Sequence, residues 1–149
     1  MKKILLGIVV FTLIYADTFA DDKDKGISER AKTSFRQEFV NAESVQWENS
    51  GLFVKARFRM YDQDLSAYFY PEGELLAVTR NILSDQLPIH LLTTVKKQYS
   101  RYWITDLFEI YANGETSYCI ALNDGNREKV LKSDAGGNWE VFRTGKVLF

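Results

Sequence analysis

The sequence predicts an α+β fold in which tandem helix-plus-four-strand repeats form one antiparallel sheet with both helices on one face. Three observations predict it. Two segments carry apolar residues at helical spacing. Strand-like segments follow each of them, and a glycine-containing turn joins the last two strand-like segments of each half.

The first helix is predicted from Ser28 to Asn41. Ser28 is a suitable N-cap because its hydroxyl can accept a hydrogen bond from an unpaired backbone N–H of the first turn. Ala31, Phe35 and Phe39 recur every four residues, so they form one apolar stripe that should pack on the sheet.

Four strands follow this helix. The clearest is "VKARFRM", Val54–Met60, in which apolar and basic residues alternate as in a half-buried strand. "SVQWEN" precedes it, and "LSAYFY" and "ELLAVTR" follow it. The last two are joined by a turn over residues 71–73, where proline favours the bend and glycine tolerates a positive φ.

The second half has the same order. Pro88 suits the first turn of a helix, whose apolar stripe is formed by Leu91, Leu92, Val95, Tyr99 and Tyr102. "ITDLFEIY", "TSYCIAL", "EKVLKS" and "NWEVFR" are predicted as its strands. On the first of them Ile104, Leu107 or Phe108, and Ile110 compete for the inner face. The Asn-Gly pair at 113–114 predicts a hairpin turn.

The halves are predicted as residues 28–83 and 84–149 of one domain made of two repeats, after a flexible leader at 21–27. Gly73 should correspond to Gly136, because each lies in the turn before the last strand of its half. One half alone would leave long strand edges and a marginal core. Two joined halves would share a larger sheet.

Residues 1–20 are predicted as a signal peptide. Two lysines precede an apolar run, Ile4–Ala16, which has the length of a signal-peptide core and is too short to span a bilayer comfortably. Thr18 and Ala20 suit the −3 and −1 positions of a cleavage site, and Asp21 stands where a lipoprotein needs cysteine. We therefore expect an unlipidated, soluble protein, periplasmic or secreted and free of the membrane after cleavage; a buried N-terminal strand is the alternative.

The composition and the rare residues argue against several classes of function. A net charge of −1 at pH 7 leaves no basic excess for binding nucleic acid. Cys119 is predicted as a small buried hydrophobe, with a reactive thiol as the alternative. His90, the single histidine, is predicted on a helix surface, with a catalytic triad as the alternative. One histidine and one cysteine make a zinc site implausible, and no metal or cofactor is expected.

Several aspartates lie where turns favour this residue for backbone reasons. Calcium binding and the paired carboxylates of a glycosidase are the alternatives for them. These aspartates are Asp62, Asp64, Asp124 and Asp134.

Two neighbouring strands carry a candidate binding face. If Val54, Ala56 and Phe58 face the helices, the residues that alternate with them face away. The outward set mixes arginine and tyrosine, as binding hot spots do. It consists of Lys55, Arg57, Arg59, Tyr68 and Tyr70. The alternative is an ordinary solvated face with cross-strand cation–π contacts.

A set of residues in both helices, the first strand and the hairpin carries a family resemblance: Phe39, Asn41, Ala42, Val45, Trp47, Tyr68, Gly73, Glu74, Leu87, Pro88 and Tyr99. With them the chain, over roughly Ala31 to Arg143, resembles the PepSY-like, β-lactamase-inhibitor-protein-like domains of secreted bacterial proteins. The resemblance implies helix-plus-four-strand units repeated on one sheet, and an exported setting. It implies little about activity, and no functional residue is carried over from it.

The expected function is that of an exported, non-catalytic binding module that uses the outward sheet face on an envelope or secreted protein. Two alternatives stay open. One is an inhibitor or regulator of a periplasmic peptidase or β-lactamase, and the other is a hydrolase built on carboxylates.

Overall fold

The computed structural model describes residues 26–133 and 137–146. Within them the fold is α+β, and the strands form one antiparallel sheet in the order β1 to β8. The elements are α1 (Glu29–Glu38), β1 (Glu43–Asn49), β2 (Val54–Met60), β3 (Gln63–Phe69), β4 (Leu75–Asn81), a 3₁₀ turn (Ser84–Gln86), α2 (Ile89–Gln98), β5 (Trp103–Ala112), β6 (Glu115–Asn123), β7 (Arg127–Ser133) and β8 (Trp139–Lys146).

The chain divides into two compact units between Arg80 and Asn81. Unit 1 denotes the described residues up to 80 and contains α1, and unit 2 denotes the described residues from 81 onward and contains α2. The signal peptide and the turn around Gly136 lie outside the described residues. The tandem repeat and the placement of both helices on one face stay predictions.

Ser28 caps α1 as predicted. Its Oγ accepts a hydrogen bond from the Ala31 N–H at 3.1 Å and donates one to the Pro71 carbonyl at 2.5 Å. The helix ends at Glu38, earlier than the predicted Asn41, because Phe39 leaves helical geometry at φ −122° while its N–H still bonds to Phe35. The cap therefore also binds the helix start to the turn between β3 and β4.

Phe35 is the centre of the unit 1 core. Its ring lies 5.0 Å from the ring of Phe58, 5.2 Å from that of Phe39 and 5.3 Å from that of Trp47. Each such aromatic pair contributes about 0.5–1.5 kcal/mol beyond the area that it buries. The other buried members of this core are Ile27, Ala31, Val54, Ala56, Ala67 and Phe69.

Unit 2 has a core of its own under α2. The helix begins at Ile89, so Pro88 is the cap residue instead of a member of the first turn. Leu107 is part of this core, whereas Phe108 is half-buried. Of these two residues, Leu107 therefore occupies the inner face of β5. The buried core residues are Ile82, Leu87, Leu91, Val95, Leu107, Ile120, Leu122 and Leu131.

In unit 2 the β7–β8 connection also contacts the start of its helix. The indole N–H of Trp139 donates a hydrogen bond to the Leu91 carbonyl at 3.0 Å. Gly137 has φ +83°, and a Cβ there would clash with the His90 ring. No helix within the described residues is long and apolar enough to cross a membrane.

Candidate functional site

The polar face of unit 1 is the sheet surface that points away from α1. Val54, Ala56 and Phe58 are buried in the core beneath α1, so the residues that alternate with them on β2 point to the other side. The predicted direction of the five candidate side chains follows from this alternation. The polar face is defined by Glu48, Lys55, Arg57, Arg59, Ser66, Tyr68, Tyr70 and Thr79.

Strand register sets the neighbours on the polar face. Lys55 pairs with Glu48 on β1 and with Tyr68 on β3. Arg57 occupies the next outward position of β2 and pairs with Ser66 on β3. These two adjacent cross-strand rows carry three of the five candidates, Lys55, Tyr68 and Arg57. Arg59 lies further along β2, where it pairs with Asp64, and Tyr70 follows the end of β3.

The predicted exposure is wrong for Lys55 and Tyr68, each of which is only 4% exposed. Lys55 lies between its cross-strand neighbours, and the Tyr68 ring packs edge-on against Phe53, with ring centroids 6.0 Å apart. Alternation along one strand predicts the direction of a side chain, whereas its exposure depends on what neighbouring residues place around it. These two residues therefore support the face from within it.

Glu48 lies between two cations of the polar face. One carboxylate oxygen is 3.6 Å from Lys55 Nζ, and the other is 3.5 Å from Arg57 Nε. Sequence reasoning missed Glu48. Its alternation with Trp47, which packs against the core, is the signal that places it on this side of β1.

The Tyr68 hydroxyl belongs to a small hydrogen-bonded group. Desolvation by burial raises the pKa of Tyr68. Side-chain hydrogen bonds with Thr79 and Ser66 and the positive charge of Arg57 lower this pKa, but by less than burial raises it. The phenol is therefore protonated at neutral pH. Its hydrogen bond with Thr79 joins β3 to β4.

Three of the five candidate residues reach solvent. Arg57 is half-exposed, and Arg59 is exposed and ion-paired at 3.5 Å with Asp62 in the β2–β3 turn. Tyr70 is half-buried just beyond β3, where its carbonyl accepts a hydrogen bond from the Gly73 N–H at 2.9 Å. The solvent-accessible part of the face therefore carries two arginines and a tyrosine beside the equally accessible carboxylate of Glu48.

The other predicted positions have structural surroundings. Cys119 is buried, and burial raises the pKa of its thiol to about 11, which argues against the reactive-thiol alternative. His90 is exposed on α2, as predicted. Asp124 Oδ1 accepts hydrogen bonds from the N–H groups of Asn126 and Arg127, which lower the pKa of its carboxyl and confirm it as a turn former.

Possible metal ligands do not gather in the described residues: no group of three or more His, Cys, Asp or Glu side chains forms there. Asp62 lies in the β2–β3 turn at φ +60°, a conformation that aspartate tolerates better than most residues. Asp134 lies outside the described ranges. Asp106 is the one acidic residue among those that line a groove of about 420 Å³ in unit 2, whereas the hydrolase alternative needs two facing acids.

No protein-family model matches the sequence, and no curated protein matches it. Solved structures do match. A BLIP-like protein from Bacteroides fragilis matches with a TM-score of 0.70 at 19% identity, over 85% of this chain and 92% of that one. The chain has a BLIP-like fold. A DUF2874 family protein from Bacteroides ovatus matches with a TM-score of 0.70 at 14% identity, over 85% of this chain and 89% of that one.

A third match is a Bacteroides eggerthii protein provisionally assigned to the periplasm. It has a TM-score of 0.68 at 14% identity and covers 79% of this chain and 87% of that one. The BLIP-like part of the resemblance is thereby confirmed at the level of fold, and its PepSY part stays a prediction. At such identities the likeness describes architecture alone.

Proposed function

We propose that this protein is an exported, non-catalytic protein-binding module. The observation that carries the proposal is the BLIP-like fold over 85% of the chain. Export is supported by the predicted signal peptide at residues 1–20 and by the structural neighbour assigned provisionally to the periplasm. An envelope or secreted protein is the expected partner.

The contact surface in this proposal consists of three solvent-accessible residues of the polar face, Arg57, Arg59 and Tyr70. Guanidinium groups and tyrosine rings contribute most to protein interfaces because they combine apolar area with directed hydrogen bonds. Glu48 orients Arg57 through its ion pair. Lys55 and Tyr68 keep β1, β2 and β3 in the arrangement that presents the three contact residues.

The test is affinity capture from envelope extract, followed by a dissociation constant for each captured protein. The double variant Arg57→Ala with Arg59→Ala should lose capture, or weaken binding at least tenfold. Arg36→Ala is the matched control, since Arg36 is also exposed but lies on α1. If circular dichroism shows that the double variant is folded and its binding is unchanged, the polar face is not the contact surface.

Inhibition of a periplasmic peptidase or β-lactamase is the second candidate function. It is favoured by one specific observation, the match to a protein described as BLIP-like. The test is a panel of periplasmic peptidases and β-lactamases assayed with the protein at micromolar concentrations. Inhibition of one enzyme that is relieved by the arginine double variant supports this candidate, and a panel without inhibition contradicts it.

A further inference from the structure

β8 is an edge strand of the sheet. It stands last in the strand order and pairs with β7, and no other described strand pairs with it. Residues 140–144 are all exposed, and two of them are large and apolar: Val141 is 53% exposed and Phe142 is 36% exposed. The backbone groups on the outer side of an edge strand can pair with another strand. A further strand can therefore add to the sheet at β8.

A β-bulge places two opposite charges of β8 on one face of the sheet. Glu140 pairs with Lys132 of β7. Arg143, three residues later, pairs with Val130, which is only two residues from Lys132, so Phe142 is the extra residue of the bulge. Because residues two apart on β7 share a face, their partners Glu140 and Arg143 also share one.

An identical strand complements this pattern. When a second β8 runs antiparallel beside the first, with Val141 and Phe142 of both copies at the centre, Glu140 of each copy lies opposite Arg143 of the other. Opposite charges directly across two strands are favourable, whereas like charges are unfavourable. The exposed apolar side chains at the centre are buried by the same pairing. Since the second copy has the same extra residue at the same place, the two strands match in residue count.

We propose that two copies of this protein associate by antiparallel pairing of β8 with β8 about a two-fold axis. The same strand serves both copies, so the association closes at the dimer. The paired stretch is short, and small interfaces form transient complexes, so the dimer should be in equilibrium with the monomer. This interface belongs to unit 2 and does not depend on the protein-binding function proposed for the polar face.

The experiment is sedimentation velocity of the protein and of charge-reversed variants over concentrations from micromolar to millimolar. The unaltered protein should change from monomer to dimer and no further. Glu140→Arg and Arg143→Glu each place like charges opposite one another, so each variant alone should dimerise at least tenfold more weakly. An equimolar mixture of the two variants should dimerise about as strongly as the unaltered protein, because every charge then lies opposite its complement in the other copy.

Glu43→Arg is the matched control, because Glu43 is an exposed carboxylate on β1, the strand at the other end of the strand order, and its reversal should leave dimerisation unchanged. An unaltered protein that stays monomeric, association beyond the dimer, or folded variants that stay monomeric when mixed would each overturn the proposal. Should a variant fail to fold, NMR spectra of the unaltered ¹⁵N-labelled protein on dilution still decide it. Amide shifts should be confined to β8 and β7, and shifts scattered over the protein would contradict the pairing.

Discussion

At the scale of single residues, burial determines the chemistry of Cys119. The side chain is 6% exposed on β6, and desolvation by burial raises the pKa of its thiol to about 11. In an unfolded chain the pKa of a cysteine thiol is about 8.5. The pKa of the thiol is therefore higher in the folded state than in the unfolded state. Its contribution to the free energy of unfolding is complete below about pH 8.5 and is lost as the pH rises toward 11.

We therefore expect the free energy of unfolding to fall by about 2–3 kcal/mol across that window through this thiol. The measurement is urea unfolding at several pH values for the unaltered protein and for Cys119→Ala, which shares every other titrating group. The difference between the two proteins should shrink as the pH rises. A constant difference would show that the thiol titrates alike in both states.

Tyr68 shows how a residue of the polar face can matter for stability and not for contact. Tyr68→Phe keeps the ring against Phe53 and removes the hydroxyl that is hydrogen-bonded to Thr79 and Ser66. We expect the free energy of unfolding to decrease by about 1 kcal/mol, the usual net value of such bonds. Tyr68→Phe should still capture the partner. If the variant is as stable as the unaltered protein yet no longer captures the partner, the hydroxyl contacts the partner directly.

At the scale of elements, the β3–β4 turn packs closely on the start of α1. Gly73 has φ +96°, and a Cβ there would lie 3.0 Å from the Arg30 carbonyl carbon and oxygen and from Ser34 Oγ. Gly51 is the matched control, since it has φ +84° and no atom within 4 Å of such a Cβ. Both alanine variants incur the left-handed backbone penalty of about 1–2 kcal/mol, and Gly73→Ala incurs the contact as well.

Gly73→Ala should therefore lower the free energy of unfolding measurably more than Gly51→Ala, as measured by urea denaturation. Equal losses would mean that the turn moves off the helix at little cost. In unit 2 the start of β8 is joined to α2 by the hydrogen bond from Trp139 to the Leu91 carbonyl.

The predictable part of each element is the part that depends on local periodicity. "VKARFRM" alternates with period two, and the structure buries its Val54, Ala56 and Phe58 under α1 as expected. The end of α1 and the position of Pro88 differ by a few residues, because backbone capping determines helix ends and leaves little trace in composition. The burial of Lys55 depends on register with β1 and β3, which is long-range information.

The candidate site was predictable to the same extent. Its strands and the direction of its side chains follow from alternation, whereas the role of Glu48 depends on pairing between β1 and β2. The groove at Asp106 gave no local signal. Its lining residues come from two segments, 81–86 and 104–107, that are about twenty residues apart in the chain, so only the folded structure brings them together.

At the scale of the whole molecule, the stability of each unit determines whether the two units unfold together. Each has its own buried core, yet each contains fewer than about 80 residues, a size at which one hydrophobic core rarely supplies more than about 3–5 kcal/mol. We therefore expect one cooperative transition. Trp47 packs against the core of unit 1, and Trp103 and Trp139 belong to unit 2, so fluorescence can follow each unit separately.

The measurement uses two variants. The first retains only Trp47, through Trp103→Phe and Trp139→Phe, and the second carries Trp47→Phe. In each, the fluorescence transition in urea should coincide with the transition followed by circular dichroism, because neither unit remains folded once the other is lost. A fluorescence midpoint displaced from the circular dichroism midpoint in either variant would show that one unit is stable alone. The single domain predicted over residues 28–149 would then be two.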